Sequence, residues 1–411
     1  MKKPAIENWY IFALGSFLFA HMVDFMIIMP LGPTFITNLL IDSQQFSWLV
    51  SSYTLTAAIS GVFGLLWMDR FDRKKALLVV VCCFSLATAL CGLANSYHML
   101  LIARMATGIF GGLINAQCLT IISELVPFER RGFAMGKMMM AFSLGSIVGI
   151  PSGLMLANTF GWRAPFMAIA LFGVLMIILA WYILPPIDAH LKAVPEAINW
   201  AEIREIIAEP SHVSCFLFMA ALMFSQFCVV PFIGTVLVQN LGVDQAHLPW
   251  VYLLGGSATA ITGPIIGKLA DTYSKPLLFK ICALLVMIPI AAITTIQQAS
   301  LFLILLITTA FFIFMSGRMS PAMALISAQV DARQRGRFLG FNAAVQQAAA
   351  GLGSAVAGAL VVLGSDGRMH HFSWVGGIAI ASGLLSILLV NKLKLSIVPK
   401  IEEKKSLEKI A

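Results

Sequence analysis

The sequence predicts an all-α integral membrane protein: twelve transmembrane helices in two pseudo-symmetric six-helix bundles. Three observations carry this. Of 411 residues, 59% are apolar and 11% charged, against about 25% charged in soluble domains. The apolar residues fall in continuous runs of about 20, the length a helix needs to cross the hydrocarbon core of a bilayer. A shift of 204 positions then lays Ile122-Ser123-Glu124-Leu125-Val126 on Ile326-Ser327-Ala328-Gln329-Val330, and Arg131-Gly132 on Arg335-Gly336. The second half thus repeats the first.

The predicted spans fall at 9–39, 46–68, 76–95, 98–123, 134–157 and 163–184, then at 212–237, 247–268, 277–296, 300–328, 338–363 and 372–392. Barrel strands would alternate over ten residues, and these runs do not. Met1-Lys2-Lys3 followed by apolar residues resembles a signal peptide, but the run continues to about Leu40 and is expected to be span 1. Two prolines in Met29-Pro30-Leu31-Gly32-Pro33 should kink it. On span 5, Gly145, Gly149 and Gly153 form a small-residue face that admits a close neighbour.

Composition excludes a water-soluble enzyme and a disordered or fibrous chain. The formal charge of +8 does not signal nucleic acid, because the basic residues form short clusters between apolar runs instead of one solvated face. The seven cysteines lie in or beside apolar runs with no CxxC and no His/Cys ligand spacing. Neither disulfides nor a metal or other cofactor is expected.

Basic residues also set the expected orientation. With both termini cytoplasmic, 23 of the 27 lysines and arginines fall on the cytoplasmic side; only Arg163 and Arg368 fall outside, and Arg104 and Arg318 within the bilayer. The one long connection, Pro185 to Pro210, divides six spans from six. The expected domains are an N-terminal bundle (1–190), a cytoplasmic linker (191–211), and a C-terminal bundle with a basic tail (212–411). In the linker, Asn199 and Glu202 have capping-box spacing, and Trp200, Ile203 and Ile207 share a face opposite Glu202, Glu205 and Glu209, a helix that Pro210 should stop.

Two loops carry related charges. After span 8 the chain reads Gly267-Lys268-Leu269-Ala270-Asp271-Thr272-Tyr273-Ser274-Lys275, and after span 2 it reads Leu65-Leu66-Trp67-Met68-Asp69-Arg70-Phe71-Asp72-Arg73-Lys74. Span 4 holds Arg104-Met105-Ala106-Thr107-Gly108. On these residues the chain resembles the major facilitator superfamily, and more narrowly its drug:proton antiporter-like branch, from Trp9 to about Lys392. The family's loop motif is G-x-L-A-D-R-x-G-R-K; Leu65 and Asp72 replace its two glycines here. Its span-5 motif, G-x-x-x-G-P-x-x-G-G, is met in part: Gly145, Gly149 and Gly153 match, Pro151 comes one place late and Leu154 stands where the motif has glycine. The resemblance implies a transporter whose halves rock about a central site. It also implies a conformational latch, read here as Asp69, Arg70, Arg73, Glu124, Arg131 and Asp271. Asp69 is expected to face the positive N-terminal end of span 11 or to pair with Arg131.

A charge at the bilayer centre costs at least about 2.5–3.5 kcal/mol, so it lines a cavity or meets a partner. Asp24 lies midway along span 1 and Arg104 in span 4. An acid on span 1 with the span-4 arginine resembles the family's proton-coupling site. Asp24 is expected to exchange the proton, Arg104 to tune its affinity, and His21, one turn away, to join the network; a static pair holding the bundle stays open. Arg318 on span 10 has no acidic partner in its half and is assigned to the substrate cavity with Asn115, Gln226, Asn342 and Gln346. Backbone carbonyls or Glu124 are the competing partners for Arg318, and interhelical hydrogen bonding the competing role for the amides.

No H-E-x-x-H, G-x-S-x-G or P-loop occurs, so neither enzyme chemistry nor ATP-driven transport is expected. The predicted function is secondary active transport of a small organic solute, most simply proton-coupled efflux. Uptake or facilitated transport of an anionic metabolite, sugar or carboxylate siderophore is the alternative, and a non-transporting membrane sensor the alternative of another class. The expected setting is a multi-pass monomer in the cell inner membrane, with solute, protons and lipid as partners and no nucleic acid.

Overall fold

The computed structural model describes residues 4–188, 191, 200–331 and 334–393. Its first bundle contains span 1 (Pro4–Ile27 and Gly32–Leu39), span 2 (Ser43–Trp67), span 3 (Arg73–Gly92), span 4 (Tyr97–Leu125), span 5 (Phe128–Leu144 and Ile150–Phe160) and span 6 (Ala164–Ile183). A short helix, Trp200–Ala208, precedes span 7 (Pro210–Val229 and Ile233–Gln239). The second bundle continues with span 8 (Leu248–Thr272), span 9 (Lys275–Leu285 and Met287–Thr295), span 10 (Leu301–Gly317 and Met319–Ser327), span 11 (Arg335–Leu360) and span 12 (Phe372–Val390).

Ten of these rods are long and apolar enough to cross a membrane. The other two, spans 8 and 11, are 25 and 26 residues long, and glycine, serine, threonine or glutamine dilutes their apolar content. Both lie against the opposite bundle, where small side chains and close packing replace contact with lipid. The all-α expectation holds but for a hairpin of two-residue strands, Val362–Leu363 and Met369–His370, between spans 11 and 12.

Local chemistry explains the starts and breaks. Asp42 and Gln45 close a capping box on span 2, and Asp72 accepts from the Lys75 amide at the start of span 3. Span 1 breaks at Pro30 as expected. Span 7 breaks too, in a 3₁₀ turn over Val230–Phe232 around Pro231, and span 10 breaks at Arg318, ahead of Pro321. Each proline lacks the amide that would bond one turn back. On span 5 the turn Gly145–Gly149 widens into a π turn, in which the Ile150 amide bonds Gly145, directly before Pro151.

The linker helix departs from its predicted face. Ile206 is fully buried while Ile207 is 45% exposed, because Ile206 packs toward the start of span 7, where His212 Nδ1 meets its carbonyl oxygen at 2.9 Å. Pro210 ends this helix and also begins span 7. Asn199 and the tail beyond residue 393 lie outside the described residues.

The two bundles meet unevenly. In the first bundle, the half farthest from the termini (Ile27 to Val50, Cys91 to Ala103, Ile150 to Phe166) shares one core with the whole second bundle. The half nearest the termini (Tyr10 to Leu18, Leu77 to Phe84, Ile114 to Ala141) forms a separate core. At the far end Gly234 lies against the Pro30 backbone, placing the broken parts of spans 1 and 7 together. Spans 2 and 11 pack along their length, from Ser47 on Gly358 to Leu65 on Gly340. Spans 5 and 8 do not: a side chain at Gly256 would strike the Ser146 carbonyl at 2.8 Å, whereas none would meet anything within 4 Å at Gly263, on the same face nearer the terminal end. The bundles are closed at the far end and part along spans 5 and 8 toward the terminal end.

Candidate functional site

The site begins with two charges in apolar helices. Asp24 lies in the last turn of the continuous part of span 1, ahead of the Pro30 break, and Arg104 lies in span 4. Arg104 Nη1 donates to Asp24 Oδ2 at 2.9 Å and to the Asp24 carbonyl oxygen at 3.3 Å. Both residues are fully buried. Burying two ions costs several kcal/mol each, so their attraction offsets that cost only in close geometry.

Spans 2 and 3 complete the surround. The Arg104 guanidinium lies 4.5 Å from the centre of the Tyr53 ring, a cation–π contact, and the Tyr53 hydroxyl meets His21 Nδ1 at 2.8 Å. Thr88 and Cys91 of span 3 face the pair. Spans 2 and 4 come this close because span 4 carries Gly108 and Gly111. A side chain at Gly108 would strike the Tyr53 backbone, with Cα 2.8 Å away, and one at Gly111 the Tyr53 hydroxyl and His21. Span 5 fits span 1 in the same way, seating Met22 on Gly145, Val23 on Gly149 and Ile27 on Gly153.

The pair is incompletely satisfied. Asp24 Oδ1 and Arg104 Nε and Nη2 have no protein hydrogen-bond partner. Protonating the carboxyl would dissolve the ion pair. Of the two settings expected for a deep charge, a cavity or a partner, the structure shows the partner: Asp24 and Arg104 meet each other. They face inward among spans 1 to 4, since span 4 turns its arginine toward span 1 and the Tyr53 ring covers it. Tyr53 was not identified from sequence; its one signal was the polar stretch Ser51-Ser52-Tyr53-Thr54 inside an apolar run.

Arg318 meets a backbone carbonyl, one of the two partners expected to compete with a place in the substrate cavity. It is fully buried within the second bundle, with Nη2 on Met315 Sδ at 2.8 Å and on the Leu222 carbonyl oxygen at 3.5 Å. Glu124 is not its partner, because Glu124 Oε1 meets Arg73 Nε at 3.0 Å within the first bundle. Of the expected cavity amides, Asn115 Oδ1, Gln226 Oε1 and both amide heteroatoms of Asn342 are buried without a protein partner, and Gln346 is half-buried. Arg318 makes no hydrogen bond to any of the four.

The latch residues divide as well. Arg73 and Glu124 tie span 3 to span 4 inside one bundle, not across two. Arg70 is exposed on the turn after span 2, Arg131 is half-buried, and Asp271 is exposed at the end of span 8. The Asp69 side chain lies outside the described residues. Between the bundles, Leu65 fills the space left by Gly340 of span 11, so the small residue lacking on span 2 is found on its partner.

These features define a polytopic carrier with an ion pair inside one of two helical bundles. The chain belongs to the Major Facilitator Superfamily, whose sequence profile matches residues 14–225 and 215–410, and family and fold make it a secondary transporter. It is 22% identical over 391 residues to Multidrug resistance protein 2 of Bacillus subtilis (strain 168), covering 93% of this chain and 96% of that protein. An uncharacterized MFS-type transporter of Mycobacterium tuberculosis is 29% identical over 233 residues, which is 56% of this chain but 39% of that longer protein. Among solved structures, a D-xylose-proton symporter superposes with a TM-score of 0.75 at 18% identity, covering 95% of this chain and 98% of that one. A bacterial homolog of the human lysosomal transporter Spinster, inward-facing and occupied, superposes with a TM-score of 0.74 at 17% identity, covering 96% and 98%. At these identities the superpositions show the fold alone.

Proposed function

We propose that the chain is a proton-coupled antiporter that exports a small organic solute across the inner membrane by alternating access. It would work as a monomer with both termini cytoplasmic and residues 1–190 and 212–411 as the rocking units. The observation that carries this reading is the fully buried Asp24–Arg104 pair, whose stability depends on one proton. The full-length similarity to a multidrug resistance protein supports the direction. In this reading the terminal end is cytoplasmic, and the parting of spans 5 and 8 opens there. Protonation of Asp24 dissolves the ion pair and frees Arg104. Deprotonation on the inner side restores it, so each cycle of the carrier is tied to one proton.

Everted membrane vesicles energised by respiration test this. Exported solutes dissipate the pH gradient and restore acridine-orange fluorescence. With a panel of ethidium, tetraphenylphosphonium, chloramphenicol and citrate, the native chain should respond to at least one compound and Asp24→Asn to none. An Asp24→Asn response equal to the native one overturns proton coupling. Accumulation of the same compound by intact cells overturns export. Arg318, with Nε and Nη1 unpartnered, favours an anionic solute as the second reading, which a response to citrate alone would select.

A further inference from the structure

The ion pair is linked to the other bundle by a row of aromatic rings. Phe227 of span 7 meets Phe25 of span 1 across the bundle boundary, with centroids 5.9 Å apart. Phe25 stacks on Tyr53 at 5.0 Å with planes inclined by 27°, and the Tyr53 ring takes the Arg104 guanidinium at 4.5 Å. The Tyr53 hydroxyl is held on His21, and Gly111 leaves the space in which the two side chains meet. Phe25 and Phe227 each lie about one turn before a break, at Pro30 and Pro231, in the two spans that face each other at the closed end.

We infer that Tyr53 is the positioning residue through which the second bundle acts on the Asp24–Arg104 pair. When the bundles separate at the far end, Phe227 leaves Phe25, and the Phe25–Tyr53 stack loses its backing. The Tyr53 ring is then free to slide from the guanidinium, and Arg104 holds Asp24 in a different geometry. A cation–π contact is strongest where water is excluded, so its loss inside a bundle has a large effect on the cation. The proton affinity of Asp24 follows the position of Arg104. The inference rests on the proton-carrier reading and supplies what that reading lacks, a contact by which bundle position reaches the proton site.

The groups facing Asp24 are few. Span 4 supplies Arg104, span 3 supplies Thr88 and Cys91, span 2 supplies Tyr53, and His21 lies one turn back on the same helix. Spans 5 and 6 bring Gly145, Gly149 and Phe172 to this stretch, against Phe19, Met22 and Val23.

Infrared titration of the full-length chain in phosphatidylethanolamine/phosphatidylglycerol nanodiscs tests this without a solute. The Asp24 carboxyl band is the one absent from Asp24→Asn. Tyr53→Leu should move its midpoint by about one pH unit, and Phe227→Leu in the same direction by about half a unit. Tyr53→Phe keeps the ring and should stay within about 0.3 unit of the native value. Phe216→Leu, which disturbs the Phe216–Phe338 stack elsewhere in the second bundle, should leave it unchanged. An unmoved midpoint in Phe227→Leu overturns the inference, and so does an equal shift in Phe216→Leu. A native band that does not titrate at all overturns the proton-carrier reading itself, which separates the two failures.

Discussion

Gly108 shows how a single residue fixes the site. Spans 2 and 4 touch where Gly108 meets the Tyr53 backbone, and backbone cannot swing aside as a flexible side chain can. Gly108→Val should therefore destabilise the fold by about 1–3 kcal/mol, the usual range for overpacking. The measurement is thermal melting of the purified protein in detergent. Gly15, where a side chain would meet nothing within 4 Å, provides the control, and Gly15→Ala should melt as the native protein does. Asp24 and Arg104 were recognisable in the sequence because an ion in an apolar run is conspicuous. Tyr53 was not, since a tyrosine among apolar residues is ordinary and gains meaning only from what lies over its ring.

Among the elements, the hairpin between spans 11 and 12 carries its own pH dependence. The side chain of Asn240, at the end of span 7, clamps it by hydrogen bonding the amide and carbonyl of Met369, both at 2.8 Å. Within the hairpin, the Arg368 amide and then the His370 side chain hold the Asp366 carboxyl below its ordinary value of 3.8. A carboxyl depressed in the folded state contributes its order above the unfolded value and loses it as pH falls through the folded one. Amide hydrogen exchange at residues 364–370 should therefore stay slow from neutral pH to the ordinary carboxylate range and lose protection only below it, after correction for intrinsic rates. Asp366→Asn should remove that step. The breaks in spans 1, 7 and 10 are equally local: each proline was visible in the sequence. Which break faces which, Pro30 against Gly234, was not, because that depends on the rotation of two distant helices.

Across the whole molecule, closure at one end and parting at the other make a testable asymmetry. In a chain whose exposed Cys82 is replaced by serine, cysteines placed at Gly136 or Gly263 should react with a membrane-impermeant maleimide from the terminal side. Cysteine at Gly234, which lies on the Pro30 backbone, should react from neither side in the resting protein. Labelling at Gly234 comparable to that at Gly263 would mean that the resting protein opens at the other end. The same asymmetry accounts for the two cores. Apolar side chains of the first bundle's far half are buried by the second bundle, whereas those of its terminal half find burial among themselves.

Hydropathy, charge placement and internal repetition are properties of short stretches of chain, so the twelve helices, the two-fold repetition and the pair of deep charges could be read directly from the residues. Partnership is not such a property. Whether Glu124 meets Arg73 or Arg318, whether Asp24 faces a cavity or the inside of a bundle, and which end of the molecule is closed depend on helix rotation and tilt. Those are set by glycine seams and proline breaks acting between segments far apart in sequence, and only the packed structure decides them.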